Sequence, residues 1–314
     1  MAQFDFFGMG AALGTAVLWA VSSICFSIGG KRVGSIVVNR IRLLFAVVWL
    51  MITHVIVVGT ILPLNASPDR WLWFSLSGIV GLAIGDAFLF EAYVLIGPRI
   101  TTLFMASVPV VSAFIGWIFY HEELQSMEIL GILVTVVGIF LVVLDGSGNE
   151  ENKNKSRHYL AGVLCGLGAA MGQAVGMALA KNGLTDQFSP LSGTLIRMVA
   201  AMFALWLLTA FTGKIKATIH EVSLDWKALA AIILGSIVGP FLGVWLSLIA
   251  TQSEYLGIVA TLMALTPVFV LPMVYFIFHE KVTHRAVMGT IIALIGVSVL
   301  MLTQAGFFKA LFHI

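Results

Sequence analysis

Charge is what this 314-residue chain has least of: Asp, Glu, Lys and Arg together make up 10% of it, where a soluble domain carries about a quarter. With 60% hydrophobic residues and a mean hydropathy of +1.05, that scarcity excludes an ordinary soluble domain and indicates a polytopic membrane protein. The net charge is only +2 and no run of Lys and Arg is interleaved with aromatics, so nucleic acid is excluded as a partner. Cysteine is nearly absent. Cys25 and Cys165 both lie in apolar stretches and read as small packing residues, with no disulfide, metal or cofactor implied. The amino-terminal MAQFDFFGMG has no basic residues before its apolar stretch, so the first segment is expected to be retained and not cleaved as a signal peptide.

Two enzyme readings fail for want of a residue. HEELQ (121–125) and HEKVT (279–283) lack the second His that HExxH zinc chemistry needs one turn later, where Gln125 and Thr283 stand. His121, Glu122, His279 and Glu280 instead read as helix-end residues that satisfy loop backbone groups. An intramembrane aspartyl protease needs two membrane aspartates, and Asp86 is the only one in a predicted helix interior. The chain is therefore read as a non-enzyme.

What is present is a series of ten apolar stretches, near 10–29, 36–62, 71–96, 100–120, 127–145, 159–180, 190–212, 226–250, 256–278 and 285–304, each long enough to cross a bilayer as a helix. Their connections are too short for a soluble domain. The most hydrophilic, DGSGNEENKNKSRH at 145–158, lies at the midpoint, so we expect one five-helix unit over 1–145, a linker over 146–158 and a second unit over 159–314.

Sliding the chain by 158 residues exposes an internal repeat. Ile100, Met105, Ala106, Pro109, Val110, His121, Glu122, Gly131, Gly138 and Leu144 then coincide with Ile258, Met263, Ala264, Pro267, Val268, His279, Glu280, Gly289, Gly296 and Leu302. Five segments per unit is an odd number, so the two copies enter the membrane in opposite senses. The expected fold is an all-α membrane protein of ten transmembrane helices, two inverted five-helix repeats around a central cavity, with the substrate site near midplane on the pseudo-two-fold axis.

Within the third segment, WLWFSLSGIVGLAIGDAFLFEAYVLI, Asp86 is the first functional candidate, because a carboxylate near the middle of a bilayer normally faces a bundle interior or a watery cavity. On a regular helix Ser75, Asp86 and Tyr93 share one stripe. Asp86 and Tyr93 are therefore assigned to substrate or proton coupling, along with the polar-edged Trp19, Gln173 and Trp245. Glu91 lies about 140° away and within about two turns of the level of Arg42, which favours a structural Arg42–Glu91 ion pair over recognition of a substrate carboxylate by Arg42. Arg197 has no acidic partner in its own unit and reads equally as structural or anion-binding. Pro109 and Pro267, at equivalent interior positions, loosen their helices by withholding an amide donor. Gly78, Gly81 and Gly85, and in the second unit Gly235, Gly239 and Gly243, form small-residue packing faces.

The chain resembles the drug/metabolite transporter superfamily, in particular its ten-helix EamA-type members, through HEEL (121–124) and HEKV (279–282). Each is followed by a Gly-containing helix, GILVTVVGIFLVVLD and GTIIALIGVSVLMLT, and an Arg stands early in the second helix of each unit, Arg42 before LLFAVVWL and Arg197 before MVAAMFALWLL. The resemblance implies export or exchange of small metabolites through a cavity lined chiefly by the third, fourth, eighth and ninth helices, with the first and sixth contributing. Met105 and Met263 in the fourth and ninth helices join the candidates on that ground. The chain departs from its own symmetry at Asp86, whose rough counterpart is Pro240.

These readings lead to a secondary active transporter of the plasma (inner) membrane, surrounded by lipid and coupled to a proton or a counter-substrate, as a monomer or homodimer. Amino-acid-like, zwitterionic or cationic metabolites are favoured because the one deeply placed charge is acidic. The alternatives are an exchanger of nucleotide sugars or other anions, and then a channel or receptor. Orientation is contested. Arg70, Lys181 and Lys309 fall on the amino-terminal side. Lys31, Arg32, Arg40, Arg42, Arg99, Lys153, Lys155, Arg157, Lys214, Lys216, Lys227, Lys281 and Arg285 fall on the other, which puts both termini outside by the positive-inside rule. The resemblance implies both termini in the cytoplasm.

Overall fold

The computed structural model describes residues 6–119, 124–147, 153–184, 188–250, 261–280 and 282–304, and all their regular structure is helical. Among the described residues, ten helices are long and apolar enough to span a membrane. In chain order these spans are Gly8–Val33, Ser35–Val58, Pro68–Leu95, Gly97–Ile118, Ser126–Asp145, Arg157–Gly183, Pro190–Phe211, Trp226–Ser247, Thr261–Phe278 and His284–Thr303. The helices run to Ser147 and restart at Lys153, so the expected linker is largely helical where it is described. His121, Glu122 and Lys281 lie outside the described residues.

Several span boundaries follow from local chemistry. Pro68 and Pro190 open the third and seventh spans, where a missing amide costs nothing, and Ser67 and Ser189 accept from the backbone N–H three residues on. Asp225 caps the eighth span by accepting from the Ala228 N–H at 3.0 Å. The second span ends at Gly59, whose φ of 85° only glycine adopts freely, and Gly59 N–H closes the last turn onto the Val55 carbonyl. Large apolar side chains such as Ile56, Phe140 and Phe276 stand exposed on the outside, where lipid covers them.

The inverted symmetry is visible in three places. The fifth and tenth spans, equivalent under the 158-residue shift, pack so that Gly131 meets Gly296 and Gly138 meets Gly289, while Thr135 Oγ1 donates to the Ala293 carbonyl at 3.4 Å. Numbers rise along one helix as they fall along the other, so the pair crosses antiparallel, as a two-fold axis in the membrane plane requires. A Cβ on Gly138 would lie 2.2 Å from the Ala293 nitrogen and 2.6 Å from the Gly289 carbonyl oxygen; the helices approach this closely only because Gly138 has none. The fourth and ninth spans break at Ser107 and Leu265, both near φ −86° to −70° with ψ close to 0°, two residues before Pro109 and Pro267. A proline ring cannot tolerate the carbonyl four residues earlier, which enforces the break. Finally, the third and eighth spans each carry a seven-residue π segment, Ile79–Gly85 and Ile237–Gly243, again 158 residues apart.

These π segments correct two sequence expectations. They pair Leu82 with Pro240 and Asp86 with Val244, so Pro240 is not the counterpart of Asp86. They also change the angle per residue partway along the third span, so Ser75, before the segment, falls out of register with Asp86 and Tyr93 after it.

Candidate functional site

Widening the helical turn in a π segment leaves carbonyls without regular intrahelical partners, and in the third span the carbonyls of Gly81, Leu82 and Ala83 attract donors from neighbouring helices. Asn39 Nδ2 donates to Ala83 O at 3.1 Å, Arg42 Nη2 to Leu82 O at 3.1 Å and Gln173 Nε2 to Gly81 O at 3.4 Å. Asp86 follows directly and accepts from two of the same donors: Arg42 Nη2 forms an ion pair with its Oδ2, and Gln173 Nε2 donates to its Oδ1 at 2.6 Å. Asn39 Oδ1 accepts from Arg42 Nε at 3.3 Å and Nη2 at 3.2 Å, and the Arg42 guanidinium lies 5.0 Å over the Phe90 ring. Asp86 and Arg42 are each 3% exposed.

This arrangement corrects the expected Arg42–Glu91 pair. Glu91 instead accepts from Ser35 Oγ, at the very start of the second span, and Ser35 is two turns, about 10 Å, from Arg42 along that helix. Five residues along the third span decide which carboxylate is level with the guanidinium, and Asp86 is the one. Arg197, on the seventh span, lies near enough to feel the Asp86 charge without an ion pair to it, and its Nε is buried without a hydrogen-bond partner.

Gln173 reaches Asp86 because the third and sixth spans touch backbone to backbone. A Cβ on Gly172 would lie 2.6 Å from Gly85 Cα, and one on Gly176 2.9 Å from Gly81 Cα; Ser77 Oγ donates to the Gly176 carbonyl. The mirror contact joins the eighth span to the first. There Ser22 Oγ donates to Gly235 O at 3.0 Å, and a Cβ on Gly243 would lie 3.0 Å from the Trp19 indole nitrogen.

Between these contacts lies a cavity of about 360 Å³. The breaks of the fourth and ninth spans supply Met105, Ala106 and Val108 on one side and Met263, Ala264 and Thr266 on the other, three pairs equivalent under the repeat, with Pro109 in addition. Trp19 and Thr15 come from the first span, Leu89 and Tyr93 from the third, Gln173 and Met177 from the sixth, Ser247 from the eighth and Met301 from the tenth. Among the described residues, no Asp, Glu, Lys, Arg or His lines it.

Two copies of one unit, meeting at a central cavity, are the form of a repeat-built carrier, and the sequence of each copy identifies it. Residues 6–144 and 160–302 both match the sequence model of the EamA-like transporter family. The chain belongs to this family. It is thus an integral multi-pass membrane transporter of small molecules within the drug/metabolite transporter superfamily. No curated protein matches it. A solved crystal structure of a protein is similar over 94% of this chain and 96% of its own, with a TM-score of 0.61 at 16% identity, a likeness of fold alone.

Of the residues singled out in the sequence, this EamA fold gathers Trp19, Tyr93, Met105, Gln173, Met263 and Pro109 on the cavity wall. Asp86 lies behind Gln173, not on the wall. Trp245 belongs instead to a row in which Phe241 lies 5.8 Å from Trp49 and 5.9 Å from Trp245, and Pro267 is buried in the ninth span. Sequence reasoning missed Asn39, which ties Arg42 to the π segment. It also missed Thr15, Thr102, Met177, Ser247, Thr266 and Met301. Asn39 could have been found as a second polar residue beside Arg42 in an apolar run, and Met177 as the residue one turn beyond Gln173; isolated Thr and Ser in membrane helices carry no such signal, since they commonly bond their own backbone.

Proposed function

We propose that this EamA-family protein is a secondary active transporter, an exporter or exchanger, that carries a small amino-acid-like or otherwise zwitterionic metabolite by alternating access, with Asp86 as its coupling carboxylate. The wall of the cavity carries this reading. Its volume suits a small metabolite, its thioethers and aromatic faces suit an apolar body, and its hydroxyls and the Gln173 amide can hold a polar head. A nucleotide sugar or phosphate would need converging cations, and none lines the wall among the described residues. A purely cationic solute finds no free carboxylate there among the described residues, since Arg42 already pairs with Asp86, so the zwitterionic class is the better supported of the two favoured at first.

Gln173 is the link between solute and charge. Its side chain lines the cavity and donates to Asp86, so a solute that engages the amide competes with that bond and loosens the Arg42–Asp86 pair, on which a proton or counter-solute can then act. The Pro109 and Pro267 breaks and the two π segments let the repeats rock about the cavity. The test is counterflow in proteoliposomes, with solutes chosen by a thermal-shift comparison of neutral amino acids, amines, nucleosides and nucleotide sugars. Saturable exchange of a zwitterionic solute is expected. Stabilisation by phosphorylated solutes alone would overturn the substrate class, and conductance without saturable exchange would overturn the carrier.

A further inference from the structure

Arg42 and Arg197 are the matching residues of the two units, each standing seven residues after the first of its span, Ser35 or Pro190. Their backbones pack in the same way. The Arg42 carbonyl accepts from Ser236 Oγ of the eighth span at 3.4 Å, and the Arg197 carbonyl abuts Gly78 of the third, with no room for a Cβ between them; Gly78 and Ser236 are themselves 158 residues apart. The symmetry fails at the acid. Asp86 has Val244 as its counterpart, and among the described residues Asp86 is the one carboxylate whose charge reaches Arg197.

Geometry brings both cations to that acid. Side chains on a helix lean toward its start, and the Asp86 carboxylate accordingly lies level with the Gly81 and Leu82 carbonyls. Gln173 Nε2 bonds Gly81 O and Asp86 Oδ1 together, and Arg42 Nη2 bonds Leu82 O and Asp86 Oδ2 together. Arg197 Nη2 reaches the same turn, 3.5 Å from where a Cβ on Gly81 would stand. With both carboxylate oxygens taken, Arg197 joins neither of the ion pairs found among the described residues. We propose that Asp86 is shared between the two units, and that Arg197 is the positioning residue that takes its Oδ1 when Gln173 lets go. This rests on the coupling role of Asp86 proposed above and adds where the carboxylate goes. A solute that draws the Gln173 amide into the cavity would otherwise strand a buried carboxylate oxygen, which is costly. Arg197 satisfies that oxygen and ties the third span of one unit to the seventh span of the other, so solute binding changes which unit holds the charge.

The test is the unfolding temperature of the full chain in detergent, which needs no solute. Arg197→Gln alone is expected to leave it unchanged or raise it, since no bond to Asp86 is lost and an unmatched cation is removed. In a Gln173→Ala background, where Oδ1 is released, Arg197→Gln is expected to lower it by about 5 °C, the scale of one charge-assisted hydrogen bond in a chain of this size. Arg197→Lys should keep most of that stability. The Arg42→Gln and Arg197→Gln shifts should likewise combine to more than their sum, because either arginine alone still neutralises Asp86. Additive shifts in either combination, or a large loss from Arg197→Gln in the native background, would overturn the shared carboxylate. Counterflow of neutral amino acids by Gln173→Ala judges the coupling role separately: an unchanged KM beside non-additive temperature shifts would remove that role and leave the sharing intact.

Discussion

At the scale of single residues, the two carboxylates of the third span differ in what their removal leaves behind. Asp86→Asn leaves the Arg42 guanidinium buried with only the Asn39 amide and the Leu82 carbonyl as acceptors, and stranding one member of a buried pair costs about 3–5 kcal/mol. A sharply lowered unfolding temperature in detergent is expected, largely restored in the double variant Arg42→Met/Asp86→Leu, which removes both charges. Glu91→Gln gives up a hydrogen bond from Ser35 and should cost about 1 kcal/mol, a reversal of the order that an Arg42–Glu91 pair would give. Gln173→Ala removes the donor that links cavity to carboxylate. Its KM for counterflow is expected to rise about tenfold, the worth of one hydrogen bond to a charged group, and its pH profile to shift, with less loss of stability than Asp86→Asn; an unchanged KM and profile would put the coupling group elsewhere.

At the scale of elements, the glycine contacts decide how closely helices approach. Gly172→Ala places a methyl 2.6 Å from Gly85 Cα, where only a backbone shift relieves the clash, so it should lower both unfolding temperature and transport by prising Gln173 from Asp86. Gly10→Ala meets nothing within 4 Å and should be neutral or stabilising by up to about 1 kcal/mol, from helix propensity. The same scale holds the surface pair Arg32–Asp225, at 2.6 Å. The Arg32 hydrogen bond, aided by the Ala228 N–H, holds the Asp225 carboxyl below its ordinary range. A carboxylate depressed in the folded state adds stability above its unfolded value, and that stability is lost as pH falls through the folded one. Asp225→Asn should therefore lower the unfolding temperature slightly in the neutral range, where the contribution is present, and flatten the acid limb of the profile.

At the scale of the whole molecule, the open question of orientation becomes a measurement. With Arg40 and Arg42 left out as buried within the second span, eleven Lys and Arg on one side against three on the other predict a carboxyl-terminal tag outside the cytoplasm. A periplasmic or extracellular reporter enzyme fused after Ile314 should be active and a cytoplasmic fluorophore dark. The opposite pattern would mean that the family's habit overrides the charge bias.

How much was legible follows the range of each interaction. Ten spans, the helix breaks before Pro109 and Pro267 and the inverted pairing of two units depend on local hydropathy, on a missing amide and on a repeat offset, all of which are written along the chain. The sequence by itself also determined that Trp19, Tyr93, Met105, Gln173 and Met263 belong to candidate elements around the axis. Only the tertiary structure decided which of them share a wall, and that Arg42 faces Asp86 and not Glu91. The reason is geometric: a π segment resets the rotation and depth of everything after it, and two glycine faces set the distance between helices. Counting at 100° and ~1.5 Å per residue reports neither.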